Sequence, residues 1–375
     1  MWTVTVVAMH VTATLMAQEL IPVKLSVFAL SNVAAADFTD VRLVADRQKD
    51  VVASIARQAS APATDPRQAK PASDPENENA RQPTDDADLK RWLQNMVWHH
   101  RFTTAEIVSA TGMSTTEITA ALRKFDIAPG NKPPRQKDAP LLVLPYPGGR
   151  HPRVGFLEGA IRPQRDTKVS IFTPWDSSAY IVLDVPEAVR GCIGGGEYDL
   201  LYLAHTHNET TWSRQGITLE QLEWQREADG SLSMQRRLPN NIAFGTKIIL
   251  GEASVRMEAW ITNGSDEILS RLLIKNCTML KGAPEFAAQT DDNKVVSSPY
   301  VACRSDRADR WAITAWKPCQ KARVKAVCPC MHSDAMVPDC APGETKRVQG
   351  WFSFYSGTDI EGELQRIEAT GWWKH

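Results

Sequence analysis

Val255–Asn276 reads VRMEAWITNGSDEILSRLLIKN, and its first seven residues alternate without a break: Val255, Met257, Ala259 and Ile261 are apolar, with Arg256, Glu258 and Trp260 between them. Successive side chains on a strand point to opposite faces, so this is a strand with one face in a core and one face out. Asn263 and Gly264 follow, a pair suited to a tight turn, and Ile268–Cys277 is apolar again. The pattern predicts a hairpin in which Ile268–Cys277 returns beside Val255–Ile261.

The same reading extends outward in both directions. Leu141–Leu144, Lys168–Phe172, Tyr180–Val185, Leu200–His207, Ser231–Leu238, Ile242–Leu250, Trp311–Trp316 and Arg347–Tyr355 are strand-like, and helical spacing returns at Ile360–Ile367. So many strands with turn residues between them predict a mainly β chain, a large antiparallel sandwich or barrel over residues 140–375. Within it, 303–340 reads as a Cys-rich loop, and the chain closes on a helix.

Upstream the composition changes twice. Residues 88–128 place Leu89, Trp92, Leu93, Met96, Val97 and His100 at helical spacing, and Thr103 with Glu106 and Ser114 with Glu117 make two capping boxes around Gly112. This predicts a small three-helix module, similar in pattern to the helix-turn-helix of DNA-binding regulators, with Thr115, Thr116, Thr119 and Arg123 on its outward face. Cations for phosphate contact are few there, so docking or packing competes with DNA recognition and nucleic acid is the less favoured partner. Residues 37–87 and 129–139 are rich in proline and charge and read as linkers, the first of them disordered. Residues 1–36 hold two apolar runs, ending at Ala17 and at Ala34–Ala36, that fit a signal or targeting segment; export is expected, with a cytoplasmic chain as the alternative.

The totals exclude more than they identify. With 375 residues, 43% hydrophobic and 23% charged, a sizeable core is expected, and a formal charge of −1 gives no overall pull toward nucleic acid or anionic membrane. No apolar run is long enough for an integral membrane span. No nucleotide or nucleophile fingerprint is present.

The densest polar chemistry is YPGGRHPRVGFLEGAIRPQRDTKVSIFTPW, residues 146–175. Arg150, His151, Arg153, Glu158, Arg162, Arg165 and Asp166 stand among glycines that permit close backbone approach, a composition suited to a carboxylate or sulfate, or to ion pairs locking a loop. His205 and His207, two apart in LAHTH, share a strand face and can act as acid and base, share a metal, or close a strand end. Trp175, Trp212, Trp224 and Trp260 are flat apolar surfaces of the kind that stack on sugar rings, or core residues. In CPCMHSDAMVPDC, Cys328, Cys330, His332 and Cys340 are sufficient donors for structural zinc; in an exported chain, disulfides among Cys303, Cys319, Cys328, Cys330 and Cys340 are the simpler reading. Cys192 and Cys277 read as a loop thiol and a core residue.

Two phrases, VRMEAWITNGSDEILSRLLIKN and APGETKRVQGWFSFYSGTDIEGELQRI, resemble the later part of galactose-mutarotase-like super-sandwich proteins. LPYPGGRHPRVGFLEGAIRPQR, LAHTH, PYVACRSD and CPCMHSD resemble an uncharacterised exported family of planctomycete bacteria. The resemblance implies a super-sandwich that binds carbohydrate or another polar small molecule, with epimerase, lyase or hydrolase chemistry. The superfamily's catalytic histidines and glutamate find no matching positions. A non-catalytic sugar-binding or wall-associated module and a DNA-binding regulator with a sugar-sensing sandwich are the alternatives. The expected chemistry rests on His205 and His207, with Arg150, His151, Arg153, Glu158, Arg162, Arg165 and Trp175 around substrate.

Overall fold

The computed structural model describes residues 80–136, 139–148, 167–204, 208–325 and 329–374. Residues 1–36, most of the 37–87 linker, Arg150, His151, Arg153, Glu158, Arg162, Arg165, Asp166, His205, His207 and Cys328 lie outside them.

Two antiparallel sheets make the sandwich. The first contains β1 (Val143–Pro145), β2 (Lys168–Phe172), β3 (Tyr180–Ile193), β4 (Asp199–Leu203), β9 (Leu269–Met279), β13 (Cys319–Lys325) and β14 (Cys330–Met336), in the order β1-β2-β3-β9-β14-β13 with β4 also on β3. The second contains β5 (Gln225–Arg226), β6 (Leu232–Arg237), β7 (Ala243–Leu250), β8 (Ser254–Thr262), β10 (Lys294–Ser297), β11 (Tyr300–Arg304), β12 (Arg310–Lys317) and β15 (Thr345–Ser356), in the order β10-β11-β12-β15-β8-β7-β6-β5. Their facing sides share one core: Val169, Ile171, Ile181, Leu183, Leu272, Ile274 and Met331 from the first meet Ile248, Val255, Met257, Ala259, Ile261 and Phe352 from the second. Along β8 burial alternates at every residue, as the sequence pattern requires.

The Asn263–Gly264 turn does not make the expected hairpin. β8 pairs with β7 and β15, whereas β9 pairs with β3 and β14, so the chain changes sheets here. Asn263 is fully buried, and its Nδ2 donates to the carbonyls of Glu267 and Cys340, both at 2.8 Å. Gly264 passes so close to Asn241 that a Cβ would stand 2.3 Å from its carbonyl oxygen. The side-chain amide thus ties the crossing point together, adding a second donor to the Cys340 carbonyl, which also accepts from the Leu269 N–H at 2.9 Å.

The stretch 303–340, expected as a Cys-rich loop apart from the strand read at Trp311–Trp316, also differs: β12 covers that strand, and β13 and β14 follow it. Pro318 and Pro329, with Cys319, Cys328, Cys330 and His332, hid these short strands, whose buried side comes partly from Cys330, His332 and Ser333 rather than from aliphatic residues.

Helices cover the outer face of each sheet. α1 (Asp86–Gln94) ends in a π turn at Asn95–His99, followed by α2 (Thr104–Thr111) and α3 (Thr115–Lys124), both opened by the expected capping boxes, with Gly112 at φ +68° between them. Leu93, Met96, Phe102, Ile107 and Ile118 pack in one cluster with Phe172, Tyr180, Val182, Cys277, Met279 and Cys330, which project from the outer face of the first sheet. Thr115, Thr116, Thr119 and Arg123 are exposed, and Lys124 is ion-paired with Asp86. α4 (Ile360–Ala369) lays Ile360, Leu364 and Ile367 on Trp311, Ile313 and Trp351 of the second sheet. Among the described residues no helix is long and apolar enough to cross a membrane.

His99 sits at the joint between helices and sheet, edge-on to Phe172 with ring centroids 5.7 Å apart. Burial, with Lys132 and Arg135 adding repulsion, lowers its imidazole from 6.5 to about 4. Between those values the unfolded chain binds a proton that the folded chain refuses, so the stability contributed by neutral His99 is full above pH 6.5 and is lost toward pH 4. His99→Gln is expected to shrink the difference in urea midpoint between pH 7.5 and pH 4.5 by an amount equivalent to about 1 kcal/mol. An unchanged difference contradicts this assignment.

Candidate functional site

The outer face of the first sheet is the unusual surface of this molecule, because its buried part is heavily polar. By strand alternation Lys168 and Ser170 on β2, Asp184 on β3, Lys275 and Cys277 on β9, and Cys330, His332 and Asp334 on β14 point away from the inter-sheet core. Lys168 and Asp184 form an ion pair at 3.2 Å with no exposed side-chain surface, and Thr167 Oγ1 donates to the same carboxylate. Ser170 Oγ lies 2.7 Å from His100 Nε2 of the helical layer.

Three soft or borderline donors meet here. Cys277, Cys330 and His332 are all buried, and one donor atom of each lies within 4.8 Å of the others. Cys330 and His332 are two apart on β14 and share its outer face; the register Cys330↔Met279 and Met331↔Thr278 brings Cys277 level with His332 on the adjacent strand. His332 Nε2 is 3.4 Å from Cys330 Sγ, while Nδ1 looks the other way, 3.8 Å from Glu187 Oε2 and 3.9 Å from Asp334 Oδ1. Burial holds the His332 imidazole down at about 4, against the upward pull of Glu187, so the ring is neutral at physiological pH. This group supplies donors of the kind that bind zinc.

The charged neighbours continue along the same face. Lys275 Nζ is 4.0 Å from Glu187 Oε2, and Arg323 Nη2 is 3.3 Å from Asp334 Oδ2. Burial raises the Asp334 carboxyl above its ordinary value, with Arg323 and Lys275 opposing. Beyond them Arg190 on β3 and Arg271 on β9 hold their guanidinium carbons 5.7 and 4.8 Å from the centre of the Tyr198 ring. Burial raises the Tyr198 phenol, with the two arginines opposing. Among the described residues neither Arg190 nor Arg271 is in a salt bridge, and both reach solvent. Two cations brought to one aromatic ring, with no carboxylate partner among the described residues, present N–H donors of the kind that bind anions.

The sequence-derived residues distribute unevenly over this geometry. Cys330 and His332 fall in the donor group, but Cys340 does not: it is buried in the inter-sheet core beside Leu269, with its thiol donating to the Glu344 carbonyl at 3.3 Å. Cys277, read as a core residue, takes that place. Cys303, Cys319 and Cys340 are free thiols, so no disulfide links them. Cys303 and Cys319 sit on strands and Cys340 at a bridge to Leu269, each held in its own packing environment without a staple. Trp212 and Trp224 are core residues, and Trp212 Nε1 donates to the Leu201 carbonyl. Trp175 is half-buried, bonded to Ser356 Oγ, edge-on to Phe354 at 5.4 Å and covered by Arg310 at 4.9 Å, a packing residue rather than an open platform. A separate concavity lined by Lys317, Pro318, Gln349 and Trp373 has its one lysine engaged by Glu368 and the Trp373 ring.

His205 and His207 lie outside the described residues, as do residues 149–166. Glu187, Arg190, Tyr198, Arg271, Lys275, Arg323 and Asp334 were not singled out in the sequence. The signal available was charge at outward positions of otherwise apolar strands, as in YIVLDVPEAVRGCI and LSRLLIKNCTM.

No family model matches the chain, and no curated protein matches it. Among solved structures it is similar in part to a protein described as a kojibiose phosphorylase from the human microbiome, with TM-score 0.31 and 7% identity over 52% of this chain and 25% of that one. It is similar in part to a polysaccharide lyase, with TM-score 0.35 and 11% identity over 53% of this chain and 32% of that one. A third is heparan sulfate lyase HepC from Pedobacter heparinus, with TM-score 0.29 and 11% identity over 76% and 45%. The chain spans less than half the length of each of these three proteins.

Proposed function

We propose that this protein is an exported carbohydrate-interacting sandwich that takes an acidic sugar chain on the outer face of its first sheet. The observation that carries the reading is the Arg190–Tyr198–Arg271 group. Two guanidiniums with no carboxylate partner among the described residues converge there, on a face where Lys275 and Arg323 add positive charge against Glu187 and Asp334. A guanidinium presents paired N–H donors to a carboxylate or sulfate, and the apolar ring between the two arginines fixes their directions. The arginine-rich stretch at 150–165 has the same chemical preference. Catalysis by acid/base transfer is assigned within this reading to His205 and His207.

Calorimetric titration with a uronic-acid oligosaccharide, a sulfated one and a neutral glucan of equal length tests the binding. The acidic chains are expected to bind and the neutral one not, and the Arg190→Ala, Arg271→Ala double variant is expected to lose roughly 10- to 100-fold in affinity, as for charge-assisted hydrogen bonds. Equal binding of the neutral glucan, or an unaffected double variant, contradicts the reading. Replacing His205 and His207 together by Ala is expected to abolish turnover of the bound sugar while sparing its binding; a wild-type chain that binds without turnover is a binding module instead. Export is read by N-terminal sequencing of the mature chain, where cleavage after Ala17 or Ala36 is expected and an intact Met1 contradicts it.

A further inference from the structure

We propose that Cys277, Cys330 and His332 form a zinc-binding centre on the outer face of the seven-stranded sheet, oriented by Glu187. The donor set is the first ground. Two thiolates and an imidazole prefer zinc to magnesium or calcium, which take oxygen donors. Tetrahedral zinc places neighbouring S and N donors about 3.6–3.8 Å apart. Here Cys330 Sγ and His332 Nε2 are 3.4 Å apart, and all three donor atoms fall within 4.8 Å. Small side-chain rotations close the remaining difference without moving the strands.

The second ground is the direction of the His332 ring. Its Nε2 faces the cysteines, and its Nδ1, buried and without a hydrogen-bond partner among the described residues, faces Glu187 Oε2 at 3.8 Å and Asp334 Oδ1 at 3.9 Å. A ligating histidine ordinarily donates its second N–H to a carboxylate, which fixes the tautomer and strengthens the bond to metal. That arrangement needs a small contraction from the distances seen, as metal binding would produce. The third ground is rigidity. All three donors stand on adjacent, hydrogen-bonded strands in the interior of the sheet, β9 and β14, rather than on a loop. Water supplies the fourth donor that completes the tetrahedron.

The site differs from the one the cysteine spacing suggested, and the difference supplies its test. The full chain, expressed with zinc in the medium and dialysed, is analysed by plasma mass spectrometry, then exchanged into cobalt(II) for absorption spectroscopy. About one zinc per chain is expected, with a thiolate-to-cobalt charge-transfer band and the intense visible bands of tetrahedral cobalt. Cys277→Ser and His332→Gln are each expected to lower zinc affinity at least tenfold, while Cys340→Ser leaves it unchanged. Should Cys277→Ser fail to fold, the cobalt spectrum of the unaltered chain still decides. Negligible zinc with no thiolate–cobalt band overturns the proposal, as does retention of zinc in Cys277→Ser with its loss in Cys340→Ser. Zinc content and sugar affinity are separate readouts, so failure of one leaves the other standing.

Discussion

A lysine and an aspartate, Lys168 and Asp184, lie 3.2 Å apart with no exposed side-chain surface on the side of a sheet that a simple two-layer sandwich leaves in water. Removing two charges from water costs several kcal/mol per ion unless partners replace the lost hydration. Here Thr167 does so for the carboxylate, and the helical layer closes over the strip from α1 through Phe102 and Tyr146. The consequence is a polar interior outside the hydrophobic one. The zinc donors proposed above stand in that second interior, and the two arginines, Arg190 and Arg271, lie at its solvent edge.

The sandwich core and the polar strip divide the labour of the same strands. Even and odd positions of β9 illustrate it: Leu272 and Ile274 fill the inter-sheet core, while Arg271, Lys275 and Cys277 face outward. The ladder that aligns the first set therefore fixes the second to within a fraction of a residue spacing. Stability of the core is what makes geometry at the site reproducible. Cooperation also runs the other way, since Cys277, Met279 and Cys330 join the cluster that docks the helices.

Legibility in the sequence followed the chemistry of each element. The alternation of β8 and the capping boxes of α2 and α3 were readable because local rules decide them, and each appears as read. The role of Asn263–Gly264 was not, because a turn between strands of one sheet and a passage between two sheets use the same residue types. What separates them is Asn241 and Cys340, distant in sequence. β13 and β14 were hidden for a related reason, although β12 was read: cysteine and histidine at buried positions break the apolar pattern that marks a strand. At the site, CPCMHSD correctly drew attention to Cys330 and His332. Cys277 stood in an unremarkable apolar run and only strand pairing reveals its neighbours, just as Arg190 and Arg271 are 81 residues apart in number and meet only across β3 and β9.

In the function proposed above, the outer face of the first sheet receives the ligand. Hydrogen–deuterium exchange with and without a saturating acidic oligosaccharide tests it most directly, because amide protection maps where the ligand sits. The account predicts added protection in β3, β9 and the turn that carries Tyr198, with the outer strands of the second sheet unchanged. Protection confined to the second sheet, or to the concavity beside Trp373, would contradict it.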